Sequence, residues 1–340
     1  MITVFSAPKP FEGHIGLIQR NAIRSWLALG EEVEILLFGD EPGISQAASA
    51  LGVGHVAHVE RSPQGTPLLD SIFKQAQANA RYTILCYVNA DILLFPDLLT
   101  AAQAAADRFS RFCLVGQRWD LAIERALSAE DLASPSAASD LLAEAQRHRP
   151  MGSDYFVFPR GLFDPMPPFA LGRAGWDNWM LYASRSRGAA LVDASPAITA
   201  IHQEHDYSHL PGGQPHYRHP ESLHNVALAG GPEMVFRLRD ATWRLRHGEF
   251  EPVRAAERGW RRTVEAGLYT RLGPGPGSRL VRLLLHPVAT LRYLFARLMG
   301  ASDTPVNAAR RAALAGYEAE AEKGRMVESD TPNRSNPHEV

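Results

Sequence analysis

Apolar positions in the first 120 residues fall into two kinds of block. Short runs rich in branched and aromatic residues, "ITVFSA" (2–7), "VEILLFGDE" (33–41), "HVAHVE" (55–60), "YTILCYV" (82–88) and "FCLVGQRW" (112–119), have strand length and end on proline, glycine or polar residues. Between them the apolar positions recur at helical spacing. In 16–29 they are Leu17, Ile18, Ile23, Trp26 and Leu27, with Gly30 closing the helix. "ISQAASALG" (44–52) predicts a short helix. "PLLDSIFKQAQANA" (67–80) predicts another, with Pro67 in its first turn and Thr66 as its cap. "DLLTAAQAAADRF" (97–109) is the fourth. Strands and helices alternating at this spacing predict a doubly wound α/β fold whose mixed sheet is largely parallel. "YTILCYV" is almost wholly apolar, as a strand covered on both faces should be.

Beyond residue 120 the pattern loosens. Residues 120–150, rich in Ala, Glu and Arg, read as a surface helical insertion or a lid. From 151 the chain is irregular and aromatic. "AALVDAS" (189–195) and "AITAI" (197–201) predict two short strands, and 220–272 predicts helices rich in Arg and Trp. "PGPG" (274–277) is a break, and the polar, charged tail from 302 reads as disordered.

The 340 residues are 45% hydrophobic and 21% charged, a globular composition, and the net charge of -2 supplies no field to attract nucleic acid. Two cysteines, Cys86 and Cys113, exclude a disulfide framework and fit a reduced, cytoplasmic setting. The N-terminus lacks the pattern of a signal peptide, and no apolar stretch reaches the ~18 residues of a spanning helix. A G-x-G-x-x-G after the first strand and a Walker A loop are both absent.

Ligands of doubly wound sheets bind beyond the carboxyl ends of the strands, which directs attention to Ser6–Lys9, Asp40 and Asn89–Asp91. In "VNADILLFP" a carboxylate ends a core strand with a polar residue two positions earlier. If extended geometry persists to 91, Asn89 and Asp91 face one side and suit a hard divalent cation; otherwise they turn the chain. "GWDNWMLYAS" (175–184) places Gly175 at a turn and Asp177 or Asn178 at the start of a helix. In "IHQEHDYSH" (201–209), His202, His205 and His209 have the spacing of a helical zinc site, but the β-rich residues before them put His202 at a strand end.

Taken in order, these stretches resemble the GT-A fold glycosyltransferases. "NAD" at 89–91 is similar to their D-x-D motif, with Asn in place of the first Asp. "GWDNW" is similar to their acidic helix start, and His202 or His205 to the histidine after the last core strand. The resemblance spans roughly 2–210 and implies a catalytic domain over 1–215, with nucleotide-sugar binding in 1–120 and acceptor and sugar binding in 150–215. A helical region (216–300) and a tail (301–340) would follow. It implies Asp91 and His202 as ligands of Mn²⁺ or Mg²⁺ and Asp177 as the acceptor-side carboxylate. Donor contacts would come from Ser6, Ala7, Lys9, Asp40, Lys74, Asn89, Ala90, Asp154 and Trp176, with Tyr155 and Trp179 as further stacking candidates. An acidic Asp40 suits a uracil imide, so a UDP-sugar is favoured. The acceptor would be a glycan, a glycolipid or a small molecule. A nucleotidyltransferase and a non-catalytic sugar-binding protein are the alternative readings. Finally, "RLVRLLLHPVATLRYLFARLM" (279–299) is apolar on one face and carries four arginines. It reads as a contact with the inner face of a membrane, as a packed helix pair, or as a homodimer surface.

Overall fold

A computed structural model describes residues 1–128, 131–132, 136–150, 152–205, 219–288 and 291. His209, the Gly-Gly loop after it, most of 289–299 and the 301–340 tail lie outside the described residues. The strands are β1 (Ile2–Ser6), β2 (Val33–Phe38), β3 (Gly54–Val56), β4 (Ile84–Val88), β5 (Ile92–Leu94), β6 (Phe112–Val115), β7 (Trp119–Leu121), β8 (Gln146–Arg147), β9 (Tyr155–Pro159), β10 (Ala190–Asp193), β11 (Ala200–Gln203), β12 (Trp243–Arg246) and β13 (Glu249–Pro252). The helices are α1 (Gly13–Leu27), α2 (Ile44–Leu51), α3 (Leu69–Asn79), α4 (Asp97–Arg108), α5 (Ala137–Leu142), α6 (Trp176–Ser186), α7 (Pro220–Leu228), α8 (Ala255–Arg258), α9 (Trp260–Leu272) and α10 (Pro276–Leu285).

Nine strands form one sheet in the order β13-β12-β10-β6-β9-β4-β1-β2-β3. It is parallel except for β9 and β13, so the mixed α/β expectation is met. Alternation along each strand sends neighbouring side chains to opposite faces. Phe5, Tyr87 and Phe158 enter an aromatic core with Phe73 of α3 and Trp179 of α6. Val4, Cys86 and Val157 enter the opposite core with Trp26 of α1 and Leu98 of α4. Cys86 and Cys113 are buried and unbonded, and burial pushes the Cys113 thiol up to about 12, so neither is a nucleophile.

A second sheet, β5-β11-β7-β8, grows from the carboxyl edge of the first. Three residues separate the end of β4 from the start of β5, and three separate β6 from β7, each a polar turn. Gly116 makes the second of these crossings possible: a Cβ there would meet the Tyr155 hydroxyl at 2.3 Å and the backbone of Ser195 at 3.0 Å. The Trp26 indole N–H donates to the Ile92 carbonyl at 2.9 Å, and Gln203 donates to the Ile18 carbonyl at 2.8 Å, so α1 holds both β5 and β11.

Four expectations change. Residues 155–159, read as irregular, form the antiparallel strand in the middle of the main sheet. Residues 119–121 and 146–147, assigned to a strand end and a helical insertion, belong to the second sheet. Within 220–272, residues 243–252 form a hairpin that extends the main sheet. Thr66 does not cap α3, whose start at Leu69 has no side-chain cap. Its hydroxyl donates to the fully buried Glu221 instead, at 2.8 Å.

Asp97, at the start of α4, accepts the Thr199 amide at 2.8 Å through Oδ2, while Oδ1 is buried with no partner among the described residues. Burial pushes this carboxyl up from 3.8 to about 6. Between those values the folded state holds a proton that the unfolded chain has released, so stability falls as pH rises through this window. Asp97→Asn keeps the acceptor for Thr199 and should remove that loss. The expected result is a variant more stable than wild type at pH 8 by up to about 3 kcal/mol, with the gap closing near pH 4. Urea titrations across pH check this.

Candidate functional site

β4 ends at Val88, and Asn89–Ala90–Asp91 is a turn, closed by the Ile92 amide on the Asn89 carbonyl at 3.2 Å. Extended geometry therefore does not persist to 91, and the two polar side chains take different partners. Asn89 turns to β9. Its side-chain amide donates to Asp154 Oδ1 at 2.9 Å, its backbone amide donates to the Asp154 carbonyl at 2.9 Å, and its Oδ1 accepts from the Tyr87 hydroxyl at 3.3 Å. Asp91 turns to β11. Its Oδ2 lies 3.3 Å from His205 Nε2 and 3.9 Å from His202 Nε2. Ligand atoms of Asp91, His202 and His205 all lie within 4.8 Å of one another.

Around this cluster runs a second layer. Asp120 accepts from Arg118 Nε at 2.9 Å and lies 2.6 Å from His148 Nδ1 and 3.2 Å from His202 Nδ1. The other arm of Arg118 donates to Asp154 at 2.9 Å. Arg118, Asp120, His148, His202 and His205 line a cleft of about 560 Å³, together with His14, Glu124 and Glu204.

The charges are tuned by this packing. Burial by itself would raise the Asp91 carboxyl; the hydrogen bond from His205 and the nearby His202 and Lys9 reverse that and hold it well below the usual carboxylate range. Burial lowers Lys9, with Asp91 acting against it, and burial also lowers His202 towards the neutral imidazole. Asp177 goes the other way. Burial raises its carboxyl, the charge of Asp154 adds to this, and the amides at the start of α6 only partly offset both.

The remaining sequence candidates divide. Lys9 stands near Asp91, and Ala90 is buried in the turn. Ala7 packs against the aromatic core. Ser6 is buried, and its hydroxyl donates to the Val88 carbonyl at 2.6 Å, which ties β1 to β4 and leaves no donor for a nucleotide. Asp40 is exposed and bound by Arg61. Lys74 is exposed on α3, where its charge acts on Asp70. Trp176, Trp179 and Tyr155 are core residues: Trp176 meets Tyr87 edge-on at 5.3 Å, and Trp179 packs on Phe169 at 5.3 Å. Arg118, Asp120 and His148 are absent from the residues that the sequence singles out. The rule that ligands bind past strand ends, applied to "FCLVGQRWD", marks Arg118 and Asp120; nothing local marks His148.

A hard divalent cation fits this donor set. Asp91 Oδ1 is buried with no hydrogen-bond partner among the described residues, an arrangement costly for an ionised carboxylate unless a cation meets it. One carboxylate with imidazoles suits Mn²⁺ better than Mg²⁺.

No family model matches the chain, and no curated protein matches it. Among solved structures, it is similar to a mannosyltransferase from Pyrobaculum calidifontis in complex with GDP-Man and Mn²⁺ (13% identity, 97% of this chain and 88% of that one, TM-score 0.42). It is also similar to S. aureus TarS 1-349 in complex with UDP-GlcNAc (13%, 96% and 92%, TM-score 0.45). A third is M. tuberculosis glucosyl-3-phosphoglycerate synthase (17%, 68% and 81%, TM-score 0.42). Likenesses at this level add no weight to a function, which rests on the geometry of the site.

Arg118 is largely buried between two carboxylates, so Arg118→Leu leaves Asp120 and Asp154 facing each other without a cation. The expected loss is about 3 kcal/mol or more of folding stability. Denaturant titration measures it, and a loss below about 1 kcal/mol would show that the guanidinium is not what holds the two carboxylates.

Proposed function

We propose that the chain is a metal-dependent glycosyltransferase that moves a sugar from a nucleotide-sugar donor, UDP-linked by preference, to an acceptor hydroxyl. One observation carries the reading: a carboxylate with a buried oxygen that has no partner among the described residues stands beside two imidazoles at the carboxyl edge of a doubly wound sheet. Asp91, His202 and His205 would hold Mn²⁺ or Mg²⁺. The cation, when bound, would neutralise the diphosphate leaving group. The Lys9 ammonium adds positive charge on the same side. Asp40, at the end of β2 and steadied by Arg61, is the acceptor we assign to a base imide. Asp154 is fixed by Asn89 and Arg118, and we assign its remaining acceptor capacity to a sugar hydroxyl. Asp177 has a raised carboxyl pKa, which suits a group that takes a proton from the acceptor. That is its role if the configuration at the sugar inverts; in a retaining reaction it orients the acceptor.

Thermal shifts with UDP-, GDP-, CMP- and dTDP-sugars, with and without Mn²⁺, test this. The donor should stabilise the protein by about 2.7 kcal/mol at a hundred times its Kd, and only when Mn²⁺ is present. Asp91→Ala should abolish the Mn²⁺-dependent shift. Asp177→Asn should keep it while transfer falls by about 10²–10⁴-fold. If no nucleotide-sugar stabilises the protein, the reading fails.

For the acceptor side we read α10 as a contact with an anionic lipid surface. Among the described residues no helix is long and apolar enough to cross a membrane. Leu280, Leu284, Val288 and Leu291 are each more than half exposed. From 266 to 302 the chain contains no Asp or Glu but five arginines, in a protein whose acidic residues outnumber its Lys and Arg overall. That charge complements an anionic headgroup layer and disfavours face-to-face pairing of two copies. Through α9, α10 is also packed against α6, which carries Asp177. The full chain should co-sediment with phosphatidylserine-containing vesicles and not with phosphatidylcholine alone, and Leu280→Glu with Leu284→Glu should release it. Equal binding to neutral vesicles, or a dimer disrupted by the same changes without vesicle binding, would overturn the lipid reading.

A further inference from the structure

The polar contacts around Asp91 close into a ring. Asn89 donates to Asp154 at 2.9 Å, and Arg118 donates to the same Asp154 oxygen at 2.9 Å. Arg118 also donates to Asp120 Oδ1 at 2.9 Å, and His202 Nδ1 lies 3.2 Å from that oxygen. His202 Nε2 then returns to Asp91 at 3.9 Å, two residues after Asn89. The five members besides Asp91 come from the ends of β4 and β9, the link into β7, β7 itself and β11.

The chemistry of the members fixes their proton positions. An ionised carboxylate only accepts, and of the two carboxylates beside His202 only Asp120, at 3.2 Å from Nδ1, is within hydrogen-bond distance; Asp91 is 3.9 Å from Nε2. In the neutral imidazole the hydrogen is therefore on Nδ1 and the lone pair on Nε2, the nitrogen that faces Asp91. A carboxylate behind a metal-ligating imidazole sets both its tautomer and its orientation. Asn89 donates to Asp154 at 2.9 Å, whereas a carboxylate at 89 has no N–H to give.

We propose that Asn89 and Asp120 are positioning residues for the metal site. Asp120 aims His202 Nε2 at the cation, and Asn89 anchors the far end of the ring through Asp154 and is not a ligand. The asparagine that departs from the D-x-D pattern thus supplies a donor that the ring uses. This rests on the reading of Asp91, His202 and His205 as the metal site.

Mn²⁺ binding to the full chain, followed without nucleotide by the loss of the free-ion EPR signal, tests both the ring and the site. Asp120→Ala should weaken Mn²⁺ binding by about 10–100-fold. Asp120→Asn retains an acceptor for Nδ1–H and should recover most of that loss, an outcome that simple loss of packing does not produce. It also stands in if the alanine variant does not fold. Asn89→Asp, which recreates a D-x-D sequence, should not tighten Mn²⁺ binding. Wild-type affinity in Asp120→Ala, no recovery in Asp120→Asn, or about tenfold tighter binding in Asn89→Asp would overturn the proposal. Asp91→Ala separates the two levels. If it binds Mn²⁺ as wild type does, the metal-site reading itself falls. If it loses binding while Asp120→Ala does not, only the ring falls.

Discussion

The guanidinium of Arg118 is divided between Asp120 and Asp154, and the geometry of the candidate site follows from that division. Both carboxylates are largely buried, and so is the arginine. Buried charges of this kind are tolerated only when each is paired and its hydrogen-bonding capacity is used. The planar fork meets this requirement, because one edge nitrogen serves the carboxylate of β7 and another serves the one before β9, at equal distances of 2.9 Å. A lysine would offer a single point of charge and could not fix the two carboxylates relative to each other. Asp154 so held can receive Asn89, and Asp120 so held can receive both His148 and His202.

That pairing is possible because the two sheets meet at the right place. The central strands end in polar turns, and the chain re-enters extended structure at once as β5 and β7, so groups from different strands converge within a few residues. β11 lies between β5 and β7, and its register pairs His202 with Ile92 on one side and Asp120 on the other. His202 is therefore carried between Asp91 and Asp120 by backbone pairing, before any side-chain contact is considered. Trp26, Asn21 and Gln203 then fix this small sheet to α1 through buried hydrogen bonds, which makes the platform part of the core and not a loop resting on it.

Much of this is legible in the sequence where one physical signal acts alone. Largely apolar runs mark β1, β2 and β4 because strands covered on both faces have few polar positions. Asp91 and His202 stand out as polar residues at the ends of such runs. Legibility fails where two signals overlap. "YFVFP" is as apolar as β4, but its short span between a Gly-Ser-Asp step and a proline disguises a central strand that runs antiparallel to its neighbours. "RW" reads as the close of one strand, whereas Gly116 has already ended it and Trp119 begins the next. The tryptophans suggest sugar stacking, yet periodicity cannot tell an aromatic that faces a ligand from one that fills a core, and Trp176 does the latter. Ser6 does stand at a strand end, but its hydroxyl is consumed by the neighbouring strand, which only the register reveals.

The two carboxylates assigned to chemistry are driven in opposite directions by one framework. Burial acts to raise both Asp91 and Asp177. At Asp91 the imidazoles of His202 and His205 and the ammonium of Lys9 overcome it, so the group stays ionised and suited to a cation. At Asp177 backbone amides at the start of α6 oppose burial but do not overcome it, and the charge of Asp154 works with burial. Asp154 thus acts twice. Through Asn89 and Arg118 it stiffens the ring behind the metal ligands, and through its field it makes Asp177 more basic. Acid and base roles within one site are set apart in this way whenever environments push like groups to different pKa values. Here the separation rests on what surrounds each group: the Lys9 ammonium and the hydrogen-bonding imidazoles stand by Asp91, whereas burial and the charge of Asp154 act together on Asp177.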